Sequence, residues 1–464
     1  MANNALVTQW GLDRLLADTA VGKRAEMNKR IAAGTCRWML LVSVFIALSV
    51  GDPAIASGAA ADRSAKQWIG TWAAAPQPPI PGSLHSFRNQ TLRLIVHTSA
   101  GGTKVRIRIS NTFGDQPLLI GGAHIARRTA AAEIDPASDR ALTFHGRPST
   151  TIPARAIVVS DTVDLGVPAL SDLAISLFLP NTTAATTLHV LARQTSYVFP
   201  DDGDHTADAK FPVAKTIRSW PFLTGVDVMA SPGAAAIVAF GSSTTDGDGS
   251  SMDANRRYPD VLAERLQKDA SRKVEVGVLN LGIIGNRLLQ DSPKQPGFPL
   301  GAALGQAGLA RFDRDVLAQA GVRYVIVALG INDIAFPGSF TPGSEKVSAQ
   351  NIISGYRQLI ARAHRKRIRV IGTTIPPFEN ATFHDPRFTN IYTPEKEAMR
   401  QEVNAWIRSS YAFDAVADFD AVLRDPSRPT RLLPDLDSGD HLHMNDAGYT
   451  ASANAVSLAL FEGH

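Results

Sequence analysis

Ser243 lies in the run Gly241-Ser242-Ser243-Thr244-Thr245-Asp246-Gly247, directly after a short apolar stretch. A tight turn into a helix amino terminus at that point exposes the Ser243 hydroxyl and leaves its own N–H free for an anion. Near the other end of the chain, Asp440-His441-Leu442-His443 places a carboxylate and an imidazole three residues apart. Residues i and i+3 in a turn or helix start approach one another. Asp440 can therefore accept from one ring nitrogen of His443 while the other nitrogen faces a serine. His441 is the rival base, but as the neighbour of Asp440 in a helical turn its side chain points elsewhere. Two further segments offer hydrogen-bond donors. In Asn280-Leu281-Gly282-Ile283-Ile284-Gly285-Asn286, Gly285 lets a backbone N–H approach a ligand with no Cβ in the way. In Gly330-Ile331-Asn332-Asp333, the Asn332 amide is a neutral donor that does not titrate. Nucleophile, base, orienting carboxylate and oxyanion donors are the four parts that acyl transfer from an ester requires.

Each segment alone also reads as an ordinary turn; their placement in the chain is what joins them. From residue 234 onward, apolar strands alternate with amphipathic helices. Strands are expected at Ala236 to Phe240, Glu275 to Leu281, Tyr324 to Leu329 and Val370 to Ile375. A helix runs from Tyr258 through Leu266. Another carries Leu309, Phe312 and Val316 on one face, with Asp313, Arg314 and Asp315 opposite and Gly321 closing it in the αL conformation. Ile353, Tyr356, Ile360 and Ala363 mark a further helix, and Ala447 to Phe461 the last, with Asn445 as its cap. This alternation predicts a doubly wound parallel sheet in a three-layer α/β/α sandwich over residues 234–464. Working residues in such a sheet lie beyond the carboxyl ends of its strands, and all of the donor segments and Ser243 follow strands. The basic run Arg362 to Arg369 closes a helix, where cations complement the dipole, and reads as a solvated end.

Residues 66–220 follow a period of two. Leu92-Leu94-Val96 alternates with Arg93 and His97, and Val105-Arg106-Ile107-Arg108-Ile109 alternates apolar and cationic positions. Further strand-like runs follow at Ala156 to Leu165, Leu173 to Leu179 and Leu188 to Val198. Short strands separated by turn signals predict an antiparallel β-sandwich or jelly roll, with Arg106 and Arg108 on a solvated face. Residues 221–233 contain Pro and Gly and read as a linker.

Taken in order, Gly241 to Gly247, Gly285, Gly330-Ile331-Asn332-Asp333 and Asp440-x-x-His443 resemble the blocks of the SGNH hydrolases, also called GDSL esterases and lipases. The resemblance covers roughly residues 234–464, and the β-rich half is similar to the additional amino-terminal domain of some secreted members. It implies a flavodoxin-like hydrolase fold, with Ser243 as nucleophile and His443 as base held by Asp440. The N–H groups of Ser243 and Gly285 and the Asn332 side chain would form the oxyanion hole. It also implies a carboxylic ester hydrolase that works without metal or organic cofactor. One position departs: the family's Gly-Asp-Ser reads Gly241-Ser242-Ser243, where Ser242 can still cap or bond locally but is a rival serine, and Gly241 with Thr245-Asp246-Gly247 fixes the register on Ser243. The turn is not Gly-x-Ser-x-Gly, which disfavours the α/β-hydrolase elbow.

The chain of 464 residues carries 47 Lys and Arg against 43 Asp and Glu. Charge this near balance predicts no broad attraction to nucleic acid or anionic lipid. Met39 to Val50 is a 12-residue apolar run behind Lys29, Arg30 and Arg37, followed by Ala54-Ile55-Ala56. Residues 1–56 therefore read as a signal peptide region, in which 1–26 are a start-site artefact ahead of Met27. The run is short for a bilayer span, so no permanent membrane anchor is expected and the protein is placed as secreted or periplasmic. The single cysteine, Cys36, falls inside this leader, which excludes disulfides and a thiol nucleophile from the remainder. An ester substrate is the expected partner, with short acyl groups on carbohydrate or small esters foremost and acylated polysaccharide suggested by the β domain. A lipase or lysophospholipase activity and a non-catalytic glycan-binding protein are the alternatives. A metal hydrolase built on Asp435, Asp437, Asp440, His441 and His443 lacks a second histidine-rich block. Phe378, Phe383, Phe388 and Tyr392, within Pro376 to Thr393, could rim an acyl or sugar site or pack at the surface.

Overall fold

The computed structural model describes residues 66–271, 274–293, 298, 300–382 and 388–462. The leader assigned to residues 1–56, with Cys36, and the aromatic Phe383 lie outside the described residues. Among the described residues, no helix is long and apolar enough to cross a membrane.

The amino-terminal half consists mainly of two antiparallel sheets face to face. One orders Gln67–Ala73, Leu223–Ala230, Gly102–Ser110 and Ile157–Val159, with Val163–Val167 also on Gly102–Ser110. The other runs through Ser196–Val198, Gln90–His97, Asp172–Leu179 and Gly122–Ala130. Leu92, Leu94, Val96, Val105, Ile107, Ile109, Val226 and Val228 meet in the core between them, as the alternation requires. Several local expectations change. Residues 221–233 are not a linker, because Leu223–Ala230 pairs with both Gln67–Ala73 and Gly102–Ser110 at the centre of a sheet. The turn residues Pro221 and Gly233 bracket that strand rather than describe it. Arg93 is fully buried, because the outer face of its sheet carries a second cluster with Phe199 and Phe211. Its guanidinium bonds the carbonyls of Ala132 and Asp208. The run from Ala156 breaks into two short strands, and that from Leu188 into Leu188–His189 and Ser196–Val198.

The carboxyl-terminal half is a five-stranded parallel sheet. Its strands are, in chain order, Ala235–Gly241, Val276–Asn280, Val322–Ala328, Arg369–Thr373 and Ala415–Ala417. In space the order is second, first, third, fourth, fifth, the doubly wound pattern with its switch point beside the first strand. One face buries Ile237, Ala239 and Ile326 under Tyr258, Leu262, Tyr449 and Ala453 of the helices Tyr258–Lys268 and Asp446–Asn454. The opposite face buries Val238, Phe240, Val325 and Val327 under Phe312, Ile352, Tyr356, Leu359, Val403 and Ile407. Strands covered on both faces explain the continuous apolar runs.

Two helices differ from their expected form. The helix at Gly308–Phe312 passes into a π turn at Asp313–Leu317, and Asp315 is buried there rather than facing solvent. Gly321 does adopt φ +68°, but it does not close that helix. It admits the strand Gln67–Ala73, where a Cβ would meet Ile69 Cγ2 at 2.6 Å. The last helix ends at Asn454, followed by a 3-10 turn at Leu458–Phe461. Arg265 from the facing helix takes the released carbonyls of Ala453 and Val456.

The two halves share an interface along an edge of the parallel sheet. The second strand, Val276–Asn280, is that edge, and Gln67–Ala73 lies against it. Gly70 and Gly277 meet backbone to backbone: a Cβ on Gly277 would stand 2.1 Å from the Gly70 carbonyl oxygen. The free Val278 N–H donates to Ser99 Oγ at 2.8 Å, and Gly70 N–H donates to Ala320 O at 2.9 Å. An open strand edge is thus covered by the neighbouring domain. Arg108 belongs to this interface and Arg106 pairs within the sandwich, so neither is simply a cation on a solvated face. Both pair with Asp227, Arg108 also donates to Gln319 at 2.9 Å, and Arg106 lies over the Trp68 ring. At the end of the long helix Ala349–Arg365, the basic run is only partly solvated, since Arg362 bonds Leu309 O and Asp313.

Candidate active site

Ser243 begins a one-turn helix, Ser243–Asp246, at the carboxyl end of the first parallel strand. It is almost fully buried, and its Oγ lies 2.8 Å from His443 Nε2. The other ring nitrogen, Nδ1, lies 2.6 Å from Asp440 Oδ2. Asp440 Oδ1 in turn accepts from the N–H groups of Leu442 and His443 at 3.0 and 2.8 Å. The three side chains therefore stand in line across 200 residues of sequence. Asn445 caps the following helix, accepting from Gly448 N–H, which anchors the loop from behind. His441 turns away, with αL backbone and Nδ1 2.6 Å from Asp437 Oδ2. Asp435, Asp437, Asp440, His441 and His443 do not converge, and no group of three or more with metal-binding geometry occurs among the described residues.

Electrostatics set the state of the His443 imidazole. Burial opposes a charge on His443, but Asp440, and after it Asp248, push its pKa up to about 9. Asp248 Oδ2 stands 3.9 Å from Nδ1. Burial likewise works against ionised Asp440, yet the His443 charge and its hydrogen bonds hold the carboxyl well below the usual carboxylate range.

The opposite side of Ser243 is assembled from separate segments. The N–H groups of Ser243 and Gly285 donate to no protein acceptor among the described residues. Gly285 holds φ +68° with Leu304 packed where a Cβ would stand. Asn332, at the amino end of the helix that follows the third strand, donates one Nδ2 proton to Asn286 O at 2.9 Å, which leaves its second N–H for another acceptor. Asp333 beside it accepts from Leu288 and Leu289 N–H at 2.7 and 2.9 Å and so fixes the loop that carries Gly285. Burial raises the Asp333 pKa to about 6, with those N–H donors opposing.

The Ser242 side chain does not take over the role expected of it. Its Oγ is buried, makes no cap and has no partner among the described residues. Arg311 secures this turn instead. Fully buried, it donates to the carbonyls of Gly241 and Leu281, to Asn286 Oδ1 and to Asp315, all at 2.9–3.0 Å. One guanidinium therefore joins the ends of the first two parallel strands to the Gly285 loop. No reading of the sequence singled out Arg311, whose guanidinium lies over the Phe240 ring. His189 and Gln77, both from the β-sandwich, also reach this region. No local pattern marks either.

The aromatic segment divides. Phe378 is fully buried against Tyr392, and Phe388 stacks on Phe340 with centroids 4.5 Å apart. Thr382 N–H donates to Asp440 O at 3.0 Å, so this segment borders the base loop.

A doubly wound sheet with serine, imidazole and carboxylate aligned beyond its strand ends is the frame of a carboxylic ester hydrolase. Residues 239–451 match the GDSL-like lipase/acylhydrolase family. Solved structures with a similar fold include an aryl esterase from M. smegmatis, at 18% identity over 48% of this chain and 95% of that one, TM-score 0.36. A carbohydrate acetylesterase from Sinorhizobium meliloti is 16% identical over the same shares, TM-score 0.36. A GDSL-like lipase from Bacteroides thetaiotaomicron is 18% identical over 49% and 88%, TM-score 0.33. No curated protein matches the chain.

Proposed function

We propose that Ser243 is the nucleophile of a two-step ester hydrolysis, with His443 as general base and Asp440 as the residue that orients it. Ser243 Oγ attacks the ester carbonyl carbon and its proton passes to His443 Nε2. The same proton leaves with the alcohol, which gives an acyl-enzyme. Water then loses a proton to His443, attacks the acyl carbon and releases the acid, and Ser243 recovers its proton. The N–H groups of Ser243 and Gly285 and the Asn332 amide stabilise the oxyanion in both steps. The 2.8 Å and 2.6 Å contacts through His443 carry this reading. Replacing Ser243 by Ala should leave a folded protein whose turnover of p-nitrophenyl acetate falls about 10⁴-fold or more. A fluorophosphonate should add once to the wild type and not to the variant. Unchanged turnover, or labelling elsewhere, would refute the assignment.

The substrates proposed are short acyl esters of carbohydrates or small alcohols. Partly buried Ile284 and Leu442, next to Gly285 and His443, provide an apolar flank on each side of the serine. The polar Thr382 borders the loop of Asp440 and His443 through its N–H to Asp440 O. A release assay over acetylated glycans and aryl esters of rising chain length, blanked with Ser243→Ala, tests this; a rate that climbs toward long acyl chains would reverse it. The proposed site of action is outside the cytoplasm, on the leader-like pattern of Met39 to Ala56. Intact mass of exported protein should show a start close after Ala56, and retention of the leader on a cytoplasmic protein would contradict it.

A further inference from the structure

His189 sits in the two-residue strand Leu188–His189 of the β-sandwich, yet its ring is buried against the catalytic half. Nδ1 lies 2.9 Å from the carbonyl oxygen of Ala75, and Nε2 lies 2.8 Å from Asp246 Oδ1. The Ala75 carbonyl can only accept from Nδ1–H, and a ring that also donates from Nε2 to the Asp246 carboxylate is an imidazolium. Burial works against that charge, while Asp246 and the two hydrogen bonds raise the pKa above its ordinary value. The second oxygen of Asp246 accepts from Ile284 N–H at 2.8 Å. Ile284 immediately precedes Gly285. A continuous chain of contacts therefore runs from the β-sandwich to the backbone donor beside Ser243.

A second contact from the same domain reaches the same glycine from its other side. Gln77 is fully buried; it accepts from Val190 N–H at 2.9 Å and donates to Ala303 O at 2.5 Å. Leu304, next along, packs on Gly285 and its carbonyl accepts from Asn286 Nδ2 at 2.8 Å. The Gly285 turn is thus held between two supports, each anchored in the β-sandwich.

We propose that His189 is a positioning residue of the hydrolase site: through Asp246 and the Ile284 N–H it sets the orientation of the Gly285 N–H toward the oxyanion. The inference rests on the oxyanion role given to Gly285 under the proposed function. It makes the β-sandwich a working part of the catalytic centre and not a separate binding module. Because the link acts on the Gly285 donor and on the Ser243–Asp246 turn, its loss should lower transition-state stabilisation while leaving ground-state binding of the ester in place.

The test compares His189→Gln and His189→Phe with Asp253→Ala. Gln keeps one N–H donor for Asp246 but no charge; Phe keeps the packing on Trp220 and offers no donor. Asp253 also joins the halves, through Gln194 and Thr195, but it leads away from Gly285. With p-nitrophenyl acetate, kcat should fall about tenfold in His189→Gln and about a hundredfold in His189→Phe, with KM within about twofold. Affinity for a trifluoromethyl ketone, whose adduct oxygen occupies the oxyanion site, should fall in step with kcat/KM. Amide hydrogen exchange over 281–288 should quicken in both variants and not in Asp253→Ala, which should keep wild-type kcat. Unchanged kcat and exchange in folded His189→Gln would overturn the proposal, as would equal damage from Asp253→Ala. If His189→Phe fails to fold, the Gln variant decides alone. A wild type that neither turns over ester nor reacts with fluorophosphonate would instead refute the hydrolase reading, and the exchange measurement would still judge the link.

Discussion

The two sides of Ser243 are built in different ways. On the base side, carboxylate and imidazole lie three residues apart in one loop, and Asp440 takes two backbone N–H groups of that same loop. On the oxyanion side, Ser243, Gly285 and Asn332 come from three strand ends, and Asp246, Asp333, Arg311, His189 and Gln77 hold them in place. A local device needs little beyond its own turn to be correct. A dispersed one depends on how well distant segments are docked, so damage far from the serine should appear as lost oxyanion stabilisation.

Substitutions can sharpen this contrast, beginning with the base side. Asp440→Asn keeps the shape of the loop but offers the ring an amide in place of a carboxylate, and kcat should drop about 10⁴-fold with the melting temperature little changed. Steady-state kinetics beside a thermal melt would check it; a loss below about tenfold would mean that the loop backbone alone orients His443. Asn332→Ala removes one oxyanion donor, for which a fall of about 10²–10³ in kcat is expected with KM nearly constant. A change confined to KM would place Asn332 in substrate binding instead.

Arg311→Met probes the dispersed side away from the reacting atoms. It strands the Leu281 carbonyl and Asn286 Oδ1, leaves the Gly241 carbonyl with Ile283 N–H alone, and removes one of the partners of buried Asp315, at a cost of about 3–5 kcal/mol. The urea midpoint would record this, and a stability equal to wild type would show that Arg314, which also pairs with Asp315, suffices. The smallest effect concerns pH. His443 acts as a base only when neutral, and its pKa of about 9 means that kcat/KM should rise with pH until about 9 and fall away on the acid side. Asp248→Asn removes a carboxylate that raises that value, so the rising limb should move to lower pH. A limb that stays in place, or moves upward, would show that Asp248 does not raise the His443 pKa.

The same contrast explains what could be read from the residues. Ser243, Gly285 and Asn332 were visible because a doubly wound sheet puts working groups just past its strand ends, and Asp440 and His443 because they are near neighbours. The strands of both halves followed from periods of two and from apolar runs. Long-range contacts left no such trace. His189 meets Asp246 across 57 residues, inside a stretch that alternates like any strand, and the Arg311 position follows helical spacing until it is seen between Phe240 and the strand ends. Arg106 and Arg108 share a pattern with solvated cations, yet Asp227 and Trp68 engage the first within the sandwich and Gln319 of the neighbouring domain takes the second. Residues 221–233 were misread for a related reason: turn residues at both ends outweighed the alternation of Val226 and Val228 between them.

The strand Val276–Asn280 draws its cover from Ser99, Gly70 and their neighbours. Cutting the chain after the sandwich would therefore uncover a row of vacant amide and carbonyl groups flanked by apolar side chains. Such a row is a template for another copy to add to, so an excised carboxyl half should clump rather than persist as a small free enzyme.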